Sequence, residues 1–359
     1  KINFGDYLFM RFKAQNIITV FLVAIALVTL IVWMTRNPVQ DFAIHNPGMD
    51  DRPEGLGGSG LVNIGSFFAA FAGEPSQEIN SDWPRFRGAD FDNISKERIR
   101  LAEEWGGAGP PQLWAVDLGE GHSGPVVKDG RVFLLDYDEE NRRDILRCFS
   151  LNNGEEIWRR GYDIFIKRNH GMSRTVPAVQ DSYVVSIGPK CHVMCVTADS
   201  GDFKWGIDIE KEFDSEVPLW YTGQCPLIDD SLAVIATGGS ALLIGVHLET
   251  GEIIWQTPNP DGWAMSHSSI MPMTLYNRDV YVYSSLGGLV GVSADSGSVG
   301  QVLFKTAEWA PTVIAPSPMH VGDGKIFVTA GYGAGSMLFQ VTEQGGQFTI
   351  EKLIEYKPE

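Results

Sequence analysis

Five short stretches carry the residues best suited to hold a ligand: GEGHSG (119–124), NHGMSRTV (169–176), VPLWYTGQ (217–224), GWAMSHSS (262–269) and EWAPTVIA (308–315). They contribute His122, Arg174, Trp220, Tyr221, Gln224, Trp263, His267 and Trp309. Flat aromatic faces beside a few polar and cationic groups suit recognition of a small molecule or a peptide. The same residue types also pack and cap the ends of sheets, so composition alone leaves both roles open.

Other motifs fail on their context. GYGAGS (331–336) has the glycines of a dinucleotide loop, but MLFQV follows it and reads as a strand where a phosphate-binding helix should begin. DFDNIS (90–95) has two carboxylates at calcium spacing without the loop glycine or the twelfth-position Glu. Cys191, His192 and Cys195 are too compact for a usual zinc site. A disulfide between Cys191 and Cys195 is left open, and Cys148 and Cys195 read as small packing residues. No catalytic residue and no metal ligand is assigned.

A formal charge of −17 argues against a nucleic-acid partner, because phosphate binding needs a basic face. Forty Gly and nineteen Pro without collagen periodicity mean many tight turns, hence many short strands.

Residues 16–34, NIITVFLVAIALVTLIVWM, contain no charge and are long enough to span a hydrocarbon core of roughly 30 Å as a helix. Arg11 and Lys13 precede the run, and Asp41, Asp50 and Asp51 dilute Arg36 after it. That bias predicts residues 1–15 in the cytoplasm and the remainder in the periplasm, a single-pass inner-membrane topology. A cleaved signal peptide is the alternative, but its A-x-A-like site, Ala70 to Ala72, lies far downstream. The sequence begins at Lys1 rather than Met, which leaves its true start open. Residues 35–82, with Pro38, Pro47, Pro53 and GLGGSG, read as an extracytoplasmic tether. Within it LVNIGSFFAAFAG (61–73) is apolar and too short to span. It lies on the membrane, against a partner, or packed like any other segment.

After Trp83 the pattern is strand and turn. RVFLLDY (131–137), YVVSIG (183–188), LAVIATG (232–238), VYVYSSL (280–286) and KIFVTAG (325–331) each follow a turn signal: Asp129-Gly130, Asp181-Ser182, Asp230-Ser231, Asn277-Arg278 and Asp323-Gly324. Pro125, Pro177, Pro226, Pro272 and Pro318 open the units. A second landmark has a similar period: Gly154, Gly201, Gly251 and Gly297, the first three each with a Trp four residues on. An all-strand repeat of about 48 residues is the signature of a β-propeller blade of four strands. The Gly supplies the positive φ of a tight hairpin. Trp158, Trp205 and Trp255 then fall on one face of the last strand, where they wedge between blades. The five loops above would converge on one rim of the channel.

CFSLNNGEEIW, CVTADSGDFKW and GVHLETGEIIW resemble the tryptophan-docking motif of pyrroloquinoline-quinone-type propellers, as do WPRFRG (83–88), WYTGQCPLIDD (220–230), HSSIMPM (267–273) and GYGAGSM (331–337). The resemblance covers 83–359 and implies a propeller of seven or eight blades. Five repeats and a strand-bearing opening segment are visible, so either the C-terminus is incomplete or the ring is smaller. The resemblance also raises a quinone-dependent oxidoreductase, with the cofactor over the axis beside calcium, a carboxylate base and often a disulfide of adjacent cysteines. This sequence has no adjacent cysteine pair. A lipoprotein of outer-membrane β-barrel assembly is similar in fold, but no Cys precedes Cys148, so that role is not carried over. The expectation is therefore an all-β, membrane-anchored propeller that acts as a non-catalytic scaffold or accessory subunit. Its partners would be protein subunits of a membrane complex and, through 16–34, the lipid bilayer. A quinone enzyme or a small-ligand-binding propeller is the alternative, and no cofactor is expected except quinone with calcium in the enzyme case.

Overall fold

The computed structural model describes residues 4–36, 61–79, 81–107, 109–167 and 172–357. The chain divides into two compact units, Lys1–Met49 and Asp50–Glu359.

The first unit is one helix, α1 (Phe4–Thr35). Its stretch Asn16–Thr35 is long and apolar enough to cross a membrane, and none of it is buried. Thr29 and Thr35 turn their hydroxyls back onto Ile25 O and Ile31 O, at 2.8 and 2.7 Å, so these two polar side chains are satisfied within the helix.

The second unit is built of antiparallel sheets in sequence order. Blade 1 holds β2 (Val126–Lys128), β3 (Arg131–Asp138), β4 (Arg143–Ser150) and β5 (Glu156–Asp163). β1 (Phe67–Ala70) adds a fifth strand to its β5 edge. Blade 2 is β6 (Ala178–Gln180), β7 (Tyr183–Ile187), β8 (His192–Thr197) and β9 (Phe203–Asp208), followed by the short α2 (Ile209–Phe213). Blade 3 is β10 (Leu227–Asp229), β11 (Leu232–Ala236), β12 (Ala241–His247) and β13 (Ile253–Pro258). Blade 4 is β14 (Met271–Leu275), β15 (Arg278–Ser285), β16 (Gly288–Ser293) and β17 (Val302–Thr306). Blade 5 is β18 (Met319–His320), β19 (Lys325–Ala330), β20 (Gly335–Gln344) and β21 (Gln347–Tyr356). The blades form a propeller-type array that does not close into a ring.

Local chemistry sets the hairpins. Asp129 and Gly130 both take positive φ, 47° and 70°, as the tight turn between β2 and β3 requires. In blade 4 the positive pair is Tyr276 and Asn277, one residue earlier than the expected Asn277-Arg278. From this conformation the Tyr276 hydroxyl donates to Val341 O of blade 5 at 2.9 Å.

The repeat Gly and Trp act across blades. Trp158 Nε1 donates to Ala198 O at 3.2 Å, and Trp205 Nε1 to Leu248 O at 2.7 Å. A Cβ on Gly201 would meet the Trp158 ring at 2.6 Å, and one on Gly251 the Trp205 ring at 2.6 Å. Trp255 stacks on Tyr281 of blade 4, with ring centroids 6.0 Å apart. The glycine beneath it is Gly300, with φ 84°, which corrects the expected Gly297; nothing lies within 4 Å of a Cβ at Gly297. Within each blade the docking side chain faces a small residue on the neighbouring strand: Trp158 opposite Cys148, Trp205 opposite Cys195, Trp255 opposite Gly245, Phe304 opposite Gly291. Cys148 and Cys195 therefore serve as packing residues. All four cysteines are free and buried, so Cys191 and Cys195 form no disulfide.

The segment 61–73 is a packed one. Arg143, Arg160 and Arg159 lie over the rings of Phe67, Phe68 and Phe71, within 3.9 to 4.9 Å, and hold β1 against blade 1. Ser76 N–H donates to Gly130 O at 2.9 Å, and Lys128 pairs with Asp82 at 2.7 Å. Residues 61–79, 81 and 82 thus belong to the β unit, which shortens the expected tether. Residues 37–60 of that tether lie outside the described residues. The opening segment after Trp83 makes isolated bridges at Trp83 and Gly121, where strands were expected.

Candidate functional site

The blade edges β2, β6 and β10 converge on a segment that runs between them. Trp83 exchanges two backbone hydrogen bonds with Val127, at 2.8 and 2.9 Å, and Pro84 O accepts from Val179 N at 2.8 Å. Arg85 then reaches Ile228 O and Gln180 Oε1, both at 2.9 Å, so residues 83–85 join three blades in turn. Its guanidinium sits 5.3 Å from the ring of Phe91, which packs against the cores of blades 3 to 5. WPRFRG is therefore an internal strut.

Phe86 lies on one wall of a cleft of about 490 Å³ at the end of the array where the chain enters each blade. The loops entering blades 1 to 4 contribute His122, Arg174, Trp220 and His267, and Tyr332 comes from the β19–β20 hairpin. Trp220 stacks with His267 at a centroid distance of 6.4 Å and 16° between planes, and meets Tyr332 at 5.8 Å. Cys225 and Ser269 line the same space, and burial pushes the Cys225 thiol up to about 11, so it is no nucleophile.

Four of the eight expected rim residues thus share one cleft, and four do not. Tyr221 is buried; its hydroxyl donates to Lys167 O at 2.9 Å and accepts from Lys167 N at 3.0 Å. Gln224 is fully buried, bonded to the backbone of Ala236 on both its amide atoms. Trp263 packs on Gly287 and Gly288 between blades 3 and 4, beside a separate cleft of about 400 Å³. Trp309 is buried in the core of blades 4 and 5. Residues 169–171 of the second loop lie outside the described residues.

Trp220, Tyr221 and Tyr332 all hold positive φ, 63°, 70° and 55°. Each bulky residue in that region costs about 1–2 kcal/mol, and such strain gathers where a site must hold its shape. Tyr221 N–H to Pro218 O and Thr222 N–H to Pro189 O, both 2.9 Å, maintain it here.

Among the described residues the cleft is lined by Arg174, two imidazoles and aromatic rings, with no carboxylate. A calcium-bound quinone needs carboxylate and amide oxygens beside the cofactor. No group of three or more His, Cys, Asp or Glu placed to hold a metal exists among the described residues. The donor set does not fit that group.

Strutted, tryptophan-docked four-stranded blades define a propeller protein of the pyrroloquinoline-quinone-type repeat class. Residues 141–354 match the family model PQQ_2, described as "Outer membrane protein assembly factor BamB", and the chain belongs to that family. Among solved structures, BamB from Moraxella catarrhalis is similar at 13% identity and a TM-score of 0.45, over 68% of this chain and 65% of that one. The quinohemoprotein alcohol dehydrogenase of Comamonas testosteroni is similar at 14% identity and 0.47, over 76% of this chain and 45% of that one. The quinohemoprotein alcohol dehydrogenase ADHIIG of Pseudomonas putida HK5 gives 14% and 0.40, over 63% and 45%. The chain spans less than two thirds of the length of each of these structures. No curated protein sequence matches it.

Proposed function

We propose that the protein is a single-pass, inner-membrane-anchored propeller that works in the periplasm as a non-catalytic scaffold or accessory subunit of an envelope protein complex. The observation that carries this reading is the helix stretch Asn16–Thr35, apolar and unburied, on the same chain as a blade array. The family's description as an assembly factor supports protein subunits as partners. Residues 1–15 lie in the cytoplasm in this reading, the bilayer is engaged through 16–34, and residues 83–359 form the propeller domain.

Mild detergent extraction of the native protein, then mass spectrometry and an absorbance spectrum of what co-purifies, tests it. Stoichiometric membrane subunits without a quinone chromophore are expected. A lone protein carrying quinone and calcium would overturn it and make the chain an oxidoreductase.

A second reading, a ligand-binding propeller, is favoured by the cleft itself. Arg174 presents a cation, and His122 and His267 present hydrogen-bonding groups, around the Trp220 and Tyr332 faces, on a chain whose net charge is −17. An anionic group is the complementary occupant. Trp220→Ala would remove the stacking face and abolish such binding while leaving co-purification of partners intact.

A further inference from the structure

Behind the cleft wall lies a buried polar cluster with no role so far. Asp144, at the start of β4, accepts hydrogen bonds from Tyr162 Oη at 2.9 Å and Ser173 Oγ at 3.0 Å. Gly188 of blade 2 closes over it so tightly that a Cβ there would collide with Tyr162 Oη and with Asp144 Oδ2. His192 of blade 2 meets the Tyr162 ring edge-on at 5.2 Å, and its Nε2 lies 3.6 Å from Asp208 Oδ2. The remaining charged groups facing the cluster are fixed by partners of their own. Asp136 on β3 is held by Arg147 at 2.9 Å, and Asp208 by Lys211 at 3.1 Å.

Ser173 ties this cluster to the cleft. Its carbonyl accepts the His122 amide at 2.6 Å, and the next residue is Arg174. Thr175 Oγ1 donates to Ile187 O at 2.5 Å, and Thr175 O accepts from Ser123 Oγ at 2.7 Å. The two loops that bring His122 and Arg174 to the cleft are therefore pinned together at Ser173, and Ser173 is pinned to Asp144.

We propose that Asp144 is a proton-operated latch on residues 172–176: ionised, it holds Ser173 and fixes Arg174 and His122 in the cleft wall; protonated, it lets the segment loosen. A carboxylate is an acceptor at both oxygens and can take both hydroxyl protons, and charge-assisted bonds are about twice as strong as neutral ones. On protonation one oxygen becomes a donor, so the hydroxyl facing it must turn and accept, and a charge-assisted bond is replaced by a neutral one of about half the strength. Tyr162 is locked by packing in the blade core, which leaves the loop residue Ser173 to yield. Burial raises the Asp144 carboxyl to about 6, so the change falls within a mild pH range. The latch concerns the wall of the cleft and is independent of what occupies it.

Amide hydrogen exchange of the full chain between pH 5 and 7.5, corrected for intrinsic rates, tests the latch. Protection of the His122 amide is expected to fall about tenfold toward pH 5, while Val234 in blade 3 stays unchanged. Asp144→Asn should lose the step and His192→Gln should keep it, which ties the step to Asp144 and not to its neighbour. A step that survives in Asp144→Asn, or its absence in the wild type, would overturn the proposal. Should Asp144→Asn not fold, the Asp144 carboxyl carbon shift can be titrated in the wild-type protein. Its midpoint must coincide with that of His122 exchange, and a separation of the two sinks the latch.

Discussion

Trp158 and Gly201 belong to different blades, and the indole of the first lies where the side chain of the second would be. The Gly-Trp repeat is thus a contact between successive units: blades 2 to 4 each offer a glycine, with φ 69° at Gly201, and accept the preceding blade's tryptophan. Trp114 extends the pattern backwards, with Nε1 donating to Leu151 O at 2.9 Å and its ring under Gly154.

Gly201→Ala should therefore cost about 2–4 kcal/mol, from positive-φ strain plus overpacking against Trp158. Gly297→Ala has neither a positive φ nor a neighbour within 4 Å and should change stability by less than about 0.5 kcal/mol. Urea denaturation midpoints of the two variants check the contrast.

Trp158→Ala removes an indole that is 1% exposed and should cost about 3–5 kcal/mol. Trp158→Phe keeps part of the packing but leaves Ala198 O without its indole donor, and should fall between. Thermal melts at fixed pH order the three proteins.

Asp144 and Asp208 give opposite pH signatures. The Asp144 carboxyl is raised to about 6 by burial. For global unfolding, which returns it to water, its favourable contribution is therefore full below the ordinary carboxylate range and is lost as pH rises through 6, whereas the Ser173 bond alone favours the ionised form. Asp208 is lowered to about 2 by His192 and Lys211, against the opposing effect of burial, so its contribution is present at neutral pH and disappears as pH falls toward 2. Melting temperatures should show Asp144→Asn gaining on wild type from pH 4.5 to 7.5. Asp208→Asn should instead lose most at neutral pH and converge with wild type in strong acid.

Arg85→Lys tests the strut. One ammonium cannot reproduce a planar fork that reaches Ile228 O and Gln180 Oε1 at once, so the lysine variant should be destabilised by about 1–3 kcal/mol. A denaturant titration that leaves it as stable as wild type would contradict the strut.

The blade pattern was legible in the sequence because it rests on local chemistry. Asp-Gly turns and glycines followed by Trp announce themselves wherever they occur. Gly300 was hidden because no Trp follows it and Phe304 stands where the docking indole would be. Trp114 was hidden because it has no glycine four residues before it. The cleft was half legible: entering loops do converge, but which way each side chain turns depends on conformations that carry no periodic signal. The successive positive φ values at Trp220 and Tyr221 send one ring to the cleft and the other into the core. Phe86 and Tyr332 could not be assigned from the blade-entering loops, since one comes from the strut and the other from a hairpin. WPRFRG was visible only as a family likeness, not as a segment between blades.

The strut also sets an order of events as the chain folds. Blades contact their sequence neighbours and can form one after another from nearby residues, as stacked repeats do. Arg85, however, reaches Ile228 across 143 residues, and Pro84 and Trp83 wait on β6 and β2. Its docking surface exists only once blades 1 to 3 stand. A segment translated before every strand of blades 2 and 3 is thus among the last to settle. Until then Phe86 contributes no wall, and the cleft is finished only when its oldest residue arrives.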